Sequence, residues 1–218
     1  MLKKMVIISL MLVLPVVAKA DNLIEKTIQT KRCNSCDFSR MDLAKVDFSS
    51  ANIDDGKFNS AILNEANFER VYIDDGSFKR AEMKGTNFYL AHLKKSNFEN
   101  AIATNANFRN ANLGRCTFTG ADLSHANFTG ALLNSADLSD ANLQGANFKY
   151  ATLRNVKMVR AKLQGADFSN ADLKGAEFLV KKSYNPQNGM HEELPQEVTC
   201  KELQEAGAVI NVSTKCEK

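Results

Sequence analysis

The chain has 218 residues, 44% of them hydrophobic and 24% charged, which excludes a disordered polymer and leaves room for one domain or a small pair. Lys and Arg total 28 against 25 Asp and Glu, a formal net charge of +3. Lys3, Lys4 and Lys19 fall in the first twenty residues; without them 25 cations face 25 anions, so no overall field remains to draw nucleic acid or anionic lipid.

Residues 1–20 read as a secretory signal peptide. Lys3 and Lys4 open it, an apolar run follows from Met5 to Ala18, and Ala18-Lys19-Ala20 matches a small-x-small cleavage pattern. The run of 14 residues is too short to span a bilayer comfortably. No cysteine stands at the cleavage point as a lipid anchor requires. The mature chain is expected to begin near Asp21, to work in the periplasm or outside the cell, and to have no stable membrane insertion once the leader is gone.

Residues 21–35 are the expected N-terminal cap. The stretch NLIEKTIQTK, starting at Asn22, puts Leu23, Ile24 and Ile28 roughly on one side of a short helix. Cys33 and Cys36 follow, two residues apart. That spacing serves a redox centre, half of a zinc site, or a local staple. With Cys116, Cys200 and Cys216 they make five cysteines, and an exported chain is the setting in which disulfides form and persist.

From 36 to 180 the sequence repeats. In ADLSHANFTGALLNSADLSDANLQGANFKY, residues 121–150, a small, a polar and a large apolar residue recur every five positions. The large ones run Phe38, Leu43, Phe48, Ile53, Phe58 and onward to Phe178, 29 units without an insertion, with Ala103 the one small member. All thirteen Phe occupy alternate units of this series, and Ala stands two residues earlier in 19 of the 29. Neither a helical period of 3.6 nor a strand period of 2 fits a strict five. A chain that turns at each unit does. The large and small residues point in, the polar one between them points out, and the last two make the corner.

These residues resemble the pentapeptide repeat family from Cys36 to about Val180. The resemblance implies an all-β fold, a right-handed quadrilateral β-helix of about seven coils with short helical caps and four units per coil. Positions twenty apart then stack. Members of the family often open their repeats with a run similar to Thr30-Lys31-Arg32-Cys33 through Phe38. This places Cys33 and Cys36 at the first corner beneath the cap, as a disulfide or as two packed thiols.

Stacking by twenty assembles the candidate sites. Asn67, Asn87, Asn107, Asn127 and Asn147 fall in one outward column, readable as an amide ladder or as an ordered face for a repetitive partner. Asp54, Asp55, Asp74 and Asp75 come from two IDDG units and share a corner; four carboxylates there are a candidate cation site, against which stands neutralisation by Lys94, Lys95 and Arg115 in the rungs beyond. Ile62 and Ile102 point outward on one face and are a candidate partner patch. Cys116 takes a small inward slot and reads as a packed apolar side chain. His92 and His125 map to different faces, so no Ser/His/Asp or zinc site converges.

Residues 181–218 are the expected C-terminal cap. SYNPQNGMHEELP reads as a loop, punctuated by Pro186, Asn188-Gly189 and Pro195. TCKELQEAGA reads as a helix with Thr199 as its cap and Gly207 as its end, and VINV as a short strand. Cys200 and Cys216 enclose this tail and are the second candidate disulfide.

The functional expectation is an exported, non-enzymatic structural or protein-interaction scaffold with no cofactor, a protein as partner, no nucleic acid, and a homodimer left open. Some cytoplasmic members of the family resemble duplex DNA and protect DNA gyrase, which is one alternative. Others are a thiol–disulfide oxidoreductase built on Cys33 and Cys36, and a metal- or glycan-binding surface protein. Two disulfides and a buried Cys116 predict one free thiol per unfolded, unreduced chain in a thiol titration; five would remove both staples.

Overall fold

The computed structural model describes residues 14–185, 190–197, 200–205 and 207–210. Its body is built from parallel bridges between residues twenty apart, from Arg32–Asn52 to Lys157–Glu177. Four five-residue units therefore close one coil, and each coil contributes one short extended side to each of four faces. Counted around the coil from Asp37, the first to fourth faces are the Asp37–Glu177 series, the Asp42–Lys162 series, the Asp47–Asp167 series and the Arg32–Asp172 series. At about 4.8 Å per rung the stack rises roughly 35 Å.

The unit closes in the same way each time. The large residue's amide donates one coil onward, Phe88 N–H to Asn107 O at 2.7 Å, and the next small residue donates back, Ala91 N–H to Phe88 O at 3.1 Å. The fifth residue of every unit from Ser35 to Gly175 lies in the left-handed region, with φ between 53° and 62° wherever it is not glycine. This conformation reverses the chain within two residues. It costs on the order of 1 kcal/mol at a non-glycine residue, and the hydrogen bonds made in both directions along the rod offset it.

Every large position from Phe38 to Leu173 is buried. Phenylalanines fill two facing columns. Within a column the rings stack, Phe78 on Phe98 at 4.7 Å and 3°; between columns they meet edge to face, Phe88 against Phe98 at 6.1 Å and 88°. Both geometries suit the ring quadrupole. The lattice is continuous from Phe38 to Phe128, after which Leu138 and Met158 replace one column. The small slots are sized to their neighbours. A Cβ on Gly56 would lie 2.7 Å from Ile53 Cγ2 and 2.8 Å from Ile53 O, so isoleucine's extra branch is matched by glycine three residues later. Leu93 and Leu113 leave room for Ser96 and Cys116 in the same column. Only near the ends are small slots half-buried: Cys36, Met41 and Val46 in the first coil, and Ala161 near the last.

Helix α1, Leu14–Thr30, covers the first coil. Leu23 and Ile24 pack on the core with Cys33, Cys36, Met41 and Val46, and buried Thr27 donates its hydroxyl to Leu23 O at 2.8 Å. The helix starts before Asn22, inside the stretch read as a leader. No breaker separates the two, and Pro15 lies in the first turn, where its missing N–H costs nothing. Lys31, at φ 53°, ends it.

The stretch read as a loop after the repeats is a hairpin instead. β1, Glu177–Asn185, pairs antiparallel with β2, Met190–Glu197. The breakers Pro186, Asn188 and Gly189 lie outside the described residues. Pro195 is accepted opposite Val180 because a two-stranded ribbon has free edges. Helix α2, Cys200–Glu205, follows, and Gly207 at φ 79° turns the chain back to the rod. Val209 then pairs with Asp167: Phe168 N–H donates to Val209 O at 2.8 Å and Val209 N–H to Ala166 O at 2.7 Å. Val209 thus supplies the rung that repeat arithmetic gives to residue 187, and Leu203 and Ala208 close the core. Thr199, Asn211 and Val212 lie outside the described residues.

Phe98→Ala removes two stacked and two edge contacts and is expected to lower unfolding stability in urea by about 3–5 kcal/mol, against about 0.5 kcal/mol for Lys157→Ala on the surface. A loss below about 1 kcal/mol for Phe98→Ala would show that the aromatic columns do not carry the core.

Candidate functional site

The outward polar residue of each unit serves its own corner first. Asp37 Oδ1 accepts from Ser39 N–H, Asp47 Oδ1 from Ser49 N–H and Asn97 Oδ1 from Glu99 N–H, each at 2.9 Å. This local bond, typical of Asp and Asn in turns, explains their recurrence between the small and large residues. Where that position holds Ser77, Glu82 or His92, the corner one rung earlier supplies the acceptor: Asn59 for Lys79 N–H, Asn64 for Lys84 N–H, Asp74 for Lys94 N–H. The periodicity showed that these residues point out, and missed the bond that selects them.

The same bonds set carboxylate acidities. The backbone N–H and hydroxyl of Ser49 hold Asp47 below the ordinary carboxylate value, and the hydroxyl and N–H of Ser39 do the same for Asp37. The Arg160 guanidinium lowers Asp140 through a two-pronged contact at 2.6 and 2.7 Å.

The amide ladder is present on the third face. Asn67 Nδ2 donates to Asp47 at 3.0 Å, Asn87 to Asn67 at 3.0 Å, and Asn107 to Asn87 at 2.9 Å. Higher up, Asn127 Oδ1 accepts from the Thr129 hydroxyl at 2.6 Å, and Asn147 Oδ1 from Lys149 N–H at 3.0 Å. Ile62 and Ile102 are 37% and 48% exposed on the second face. Glu82 lies between them and bridges to both, so they form no continuous apolar patch. On the fourth face Tyr72, 41% exposed, stacks on His92 at 5.7 Å, a pair that emerges only once residues twenty apart are stacked. Leu132 is exposed on the same face.

Asp54, Asp55, Asp74 and Asp75 do share one corner. Burial, then the neighbouring Asp55, Asp74 and Asp75, pushes Asp54 above its ordinary value of 3.8. Both Asp74 oxygens are engaged, one by Lys94 N–H at 2.9 Å and the other by the Tyr72 hydroxyl at 3.1 Å. Asp75 pairs with Lys95 at 3.3 Å. Among the described residues no group of three or more His, Cys, Asp or Glu is arranged to hold a metal ion.

Cys33 and Cys36 are joined as a disulfide, with Cα atoms 5.7 Å apart. They close the first corner directly beneath α1. Cys116 is free and buried; desolvation pushes its thiol far up, and its Sγ sits 2.8 Å from Leu93 O. Buried Ser96 and Thr86 anchor the same way, to Ile73 O at 2.8 Å and Leu63 O at 2.7 Å. Cys200 is disulfide-bonded; Cys216 lies outside the described residues. No described helix is long and apolar enough to cross a membrane.

A sequence profile described as a pentapeptide repeat region matches residues 51–128 and 111–182, more than half of the chain. The chain belongs to the pentapeptide repeat family. Its solenoid is accordingly a right-handed quadrilateral β-helix. No curated protein matches the sequence. Among solved structures it is similar to QnrB1, a plasmid-mediated fluoroquinolone resistance protein, at 16% identity over 83% of this chain and 89% of that one, TM-score 0.45. It is also similar to HetL, involved in heterocyst differentiation regulation in the cyanobacterium Nostoc sp. strain PCC 7120, at 18% identity over 89% and 91%, TM-score 0.32. A pentapeptide repeat protein of the Arabidopsis thaliana thylakoid lumen is 28% identical over 61% and 68%, TM-score 0.25.

Asp54 gives this pentapeptide repeat protein a measurable pH signature. Its raised folded value means that the fold favours the protonated carboxyl, so its contribution declines as pH rises above about 4. Asp54→Asn is expected to raise the melting temperature at pH 7 by about 1 °C and to leave it unchanged near pH 3, the gap closing in salt. A variant that melts below the parent at pH 7 would show that Asp54 makes a net favourable contact.

Proposed function

We propose that this pentapeptide repeat protein is an exported, non-enzymatic scaffold that holds a protein partner on its outer faces. The observation that carries this reading is where the polar chemistry lies. The interior is filled by stacked Phe, Leu, Ile and Ala, and no buried side-chain N or O among the described residues lacks a hydrogen-bond partner. Turnover generally needs convergent polar groups in a concave, shielded pocket. A concavity of this surface is instead an open corner groove of about 780 Å³, lined by Ser39, Arg40, Asn59, Lys79, Arg80 and Glu99. The leader pattern and the Cys33–Cys36 disulfide support export.

The gyrase-protection alternative calls for an acidic rod. Here the acidic corner of Asp54 to Asp75 gives way to Lys94, Lys95 and Arg115, which favours a protein partner recognised by mixed charge.

Fractionation of cells producing the full-length tagged chain, with N-terminal sequencing, is expected to find a mature chain beginning near Asp21 in the exported fraction; an intact Met1 form confined to the cytoplasm would rule export out. Photo-crosslinkers at Asn87 and Tyr72 are expected to trap a defined protein from that fraction, with gyrase supercoiling unchanged by the purified protein. Inhibition or protection of gyrase would overturn the reading in favour of the topoisomerase alternative.

A further inference from the structure

The corner that follows the fourth face carries, in successive rungs, Asn34-Ser35, Asp54-Asp55, Asp74-Asp75, Lys94-Lys95, Gly114-Arg115 and Asn134-Ser135. The bridges of the fourth face place these pairs directly above one another. Four anions are thus followed by three cations along one straight edge. The internal ion pairing is small: Lys95 reaches Asp75 at 3.3 Å, and among the described residues no ion pair is formed by Asp54, Asp55, Lys94 or Arg115. Lys94, Lys95, Asn112, Gly114, Arg115 and Leu132 line an open groove of about 570 Å³. Gly114 brings no side chain to it, so it presents its cations around a hollow.

The order of charges has a symmetry of its own. A two-fold axis between the Asp74 and Lys94 rungs exchanges Asp74-Asp75 with Lys94-Lys95, Asp54-Asp55 with Gly114-Arg115, and Asn34-Ser35 with Asn134-Ser135. On the adjoining face the same axis exchanges Tyr72 with His92 and Asn52 with Asn112. A symmetric dimer requires this: one patch, self-complementary, in which each residue meets its mate's counterpart. Parallel pairing sets Asp against Asp and Lys against Lys, so the charge order selects the antiparallel arrangement. The constant rung spacing of about 4.8 Å keeps two rods in register over the whole patch, and the exposed Tyr72–His92 stack supplies flat rings at its centre.

We propose that two copies of this chain pair antiparallel along this edge, the Asp54, Asp55, Asp74 and Asp75 corner of each lying against the groove of Lys94, Lys95 and Arg115 on the other. The interface is electrostatic and lateral, and it leaves the Asn face and both caps free. It does not depend on the scaffold reading.

The test is the molar mass of the full chain by light scattering or sedimentation at roughly 100 µM, at low ionic strength and in about 0.5 M NaCl. A dimer is expected at low salt and a monomer at high salt. D54K/D55K and R115D are each expected to weaken the dimer more than tenfold, with circular dichroism unchanged. An equimolar mixture of the two reversed variants is expected to form a heterodimer, and the chain carrying all three changes to recover a homodimer. Should a reversed variant fail to fold, D54N/D55N and K94Q/R115Q serve in its place and are expected to weaken the dimer. A wild-type chain that stays monomeric at low salt overturns the proposal. So does a dimer that survives the reversals, or reversed variants that do not associate when mixed.

Discussion

The rest of this structure depends on a corner. Every fifth residue from Ser35 to Gly175 takes a left-handed backbone, and this one constraint closes four units into a coil. It fixes the twenty-residue return, and the return fixes which side chains stack. It also carries a cost, because most of these residues have a Cβ: Arg40, Leu90, Tyr150 and Arg160 hold the conformation that Gly120 and Gly130 adopt freely. The conformation persists because each corner is tied on both sides. Its amide donates to the coil ahead, as Arg160's predecessor series shows in Asp140 N–H to Val159 O at 2.9 Å, and its neighbours sit between stacked rungs. A lone corner of this kind would open; a column of them is held by its neighbours, as in any solenoid whose repeats are stable only when stacked.

Given the corner, the interior follows from volume. Rungs about 4.8 Å apart leave room for aromatic rings face to face, and Phe columns exploit it, from Phe48 to Phe168 without a break. The small slots must then be small, and their exceptions are informative. Gly56 answers Ile53; Ser96 brings a hydroxyl that accepts from Gly76 N–H at 3.1 Å and donates to Ile73 O. Met41 and Val46 are large because the first coil faces a helix rather than another coil. The exterior has more freedom, and the polar positions there divide their work between capping corners, as Asp37 does, and bonding along the rod, as Asn87 does. Function of a rod with a filled interior is therefore a matter of how charge and exposed rings are distributed over its faces.

The solenoid was legible in the residues because its contacts are periodic. A pattern of five names the buried large residue, the small residue and the outward one, and a count of twenty names the neighbour. The Asn column, the crowded Asp corner and the staple at Cys33 and Cys36 could all be located in this way. The partners of each polar atom could not. That Asp74 serves Lys94 N–H and the Tyr72 hydroxyl depends on rotamers and on what stands at position 92, and a periodic rule carries neither.

What the sequence by itself determined is the repeat, the inside and outside of every unit from 38 to 173, and the order of charges along each edge. These depend on residue type and spacing alone, since each unit meets only the units beside and above it. What only the tertiary structure decided lies at the ends and in the individual bonds: a helix reaching back to Leu14, a hairpin where breakers suggested a loop, and Val209 returning to pair with Asp167. The reason is that capping an open rung requires contact between segments far apart in the chain, with no period to announce it. An exposed edge accepts whichever segment satisfies its hydrogen bonds and covers its last phenylalanine.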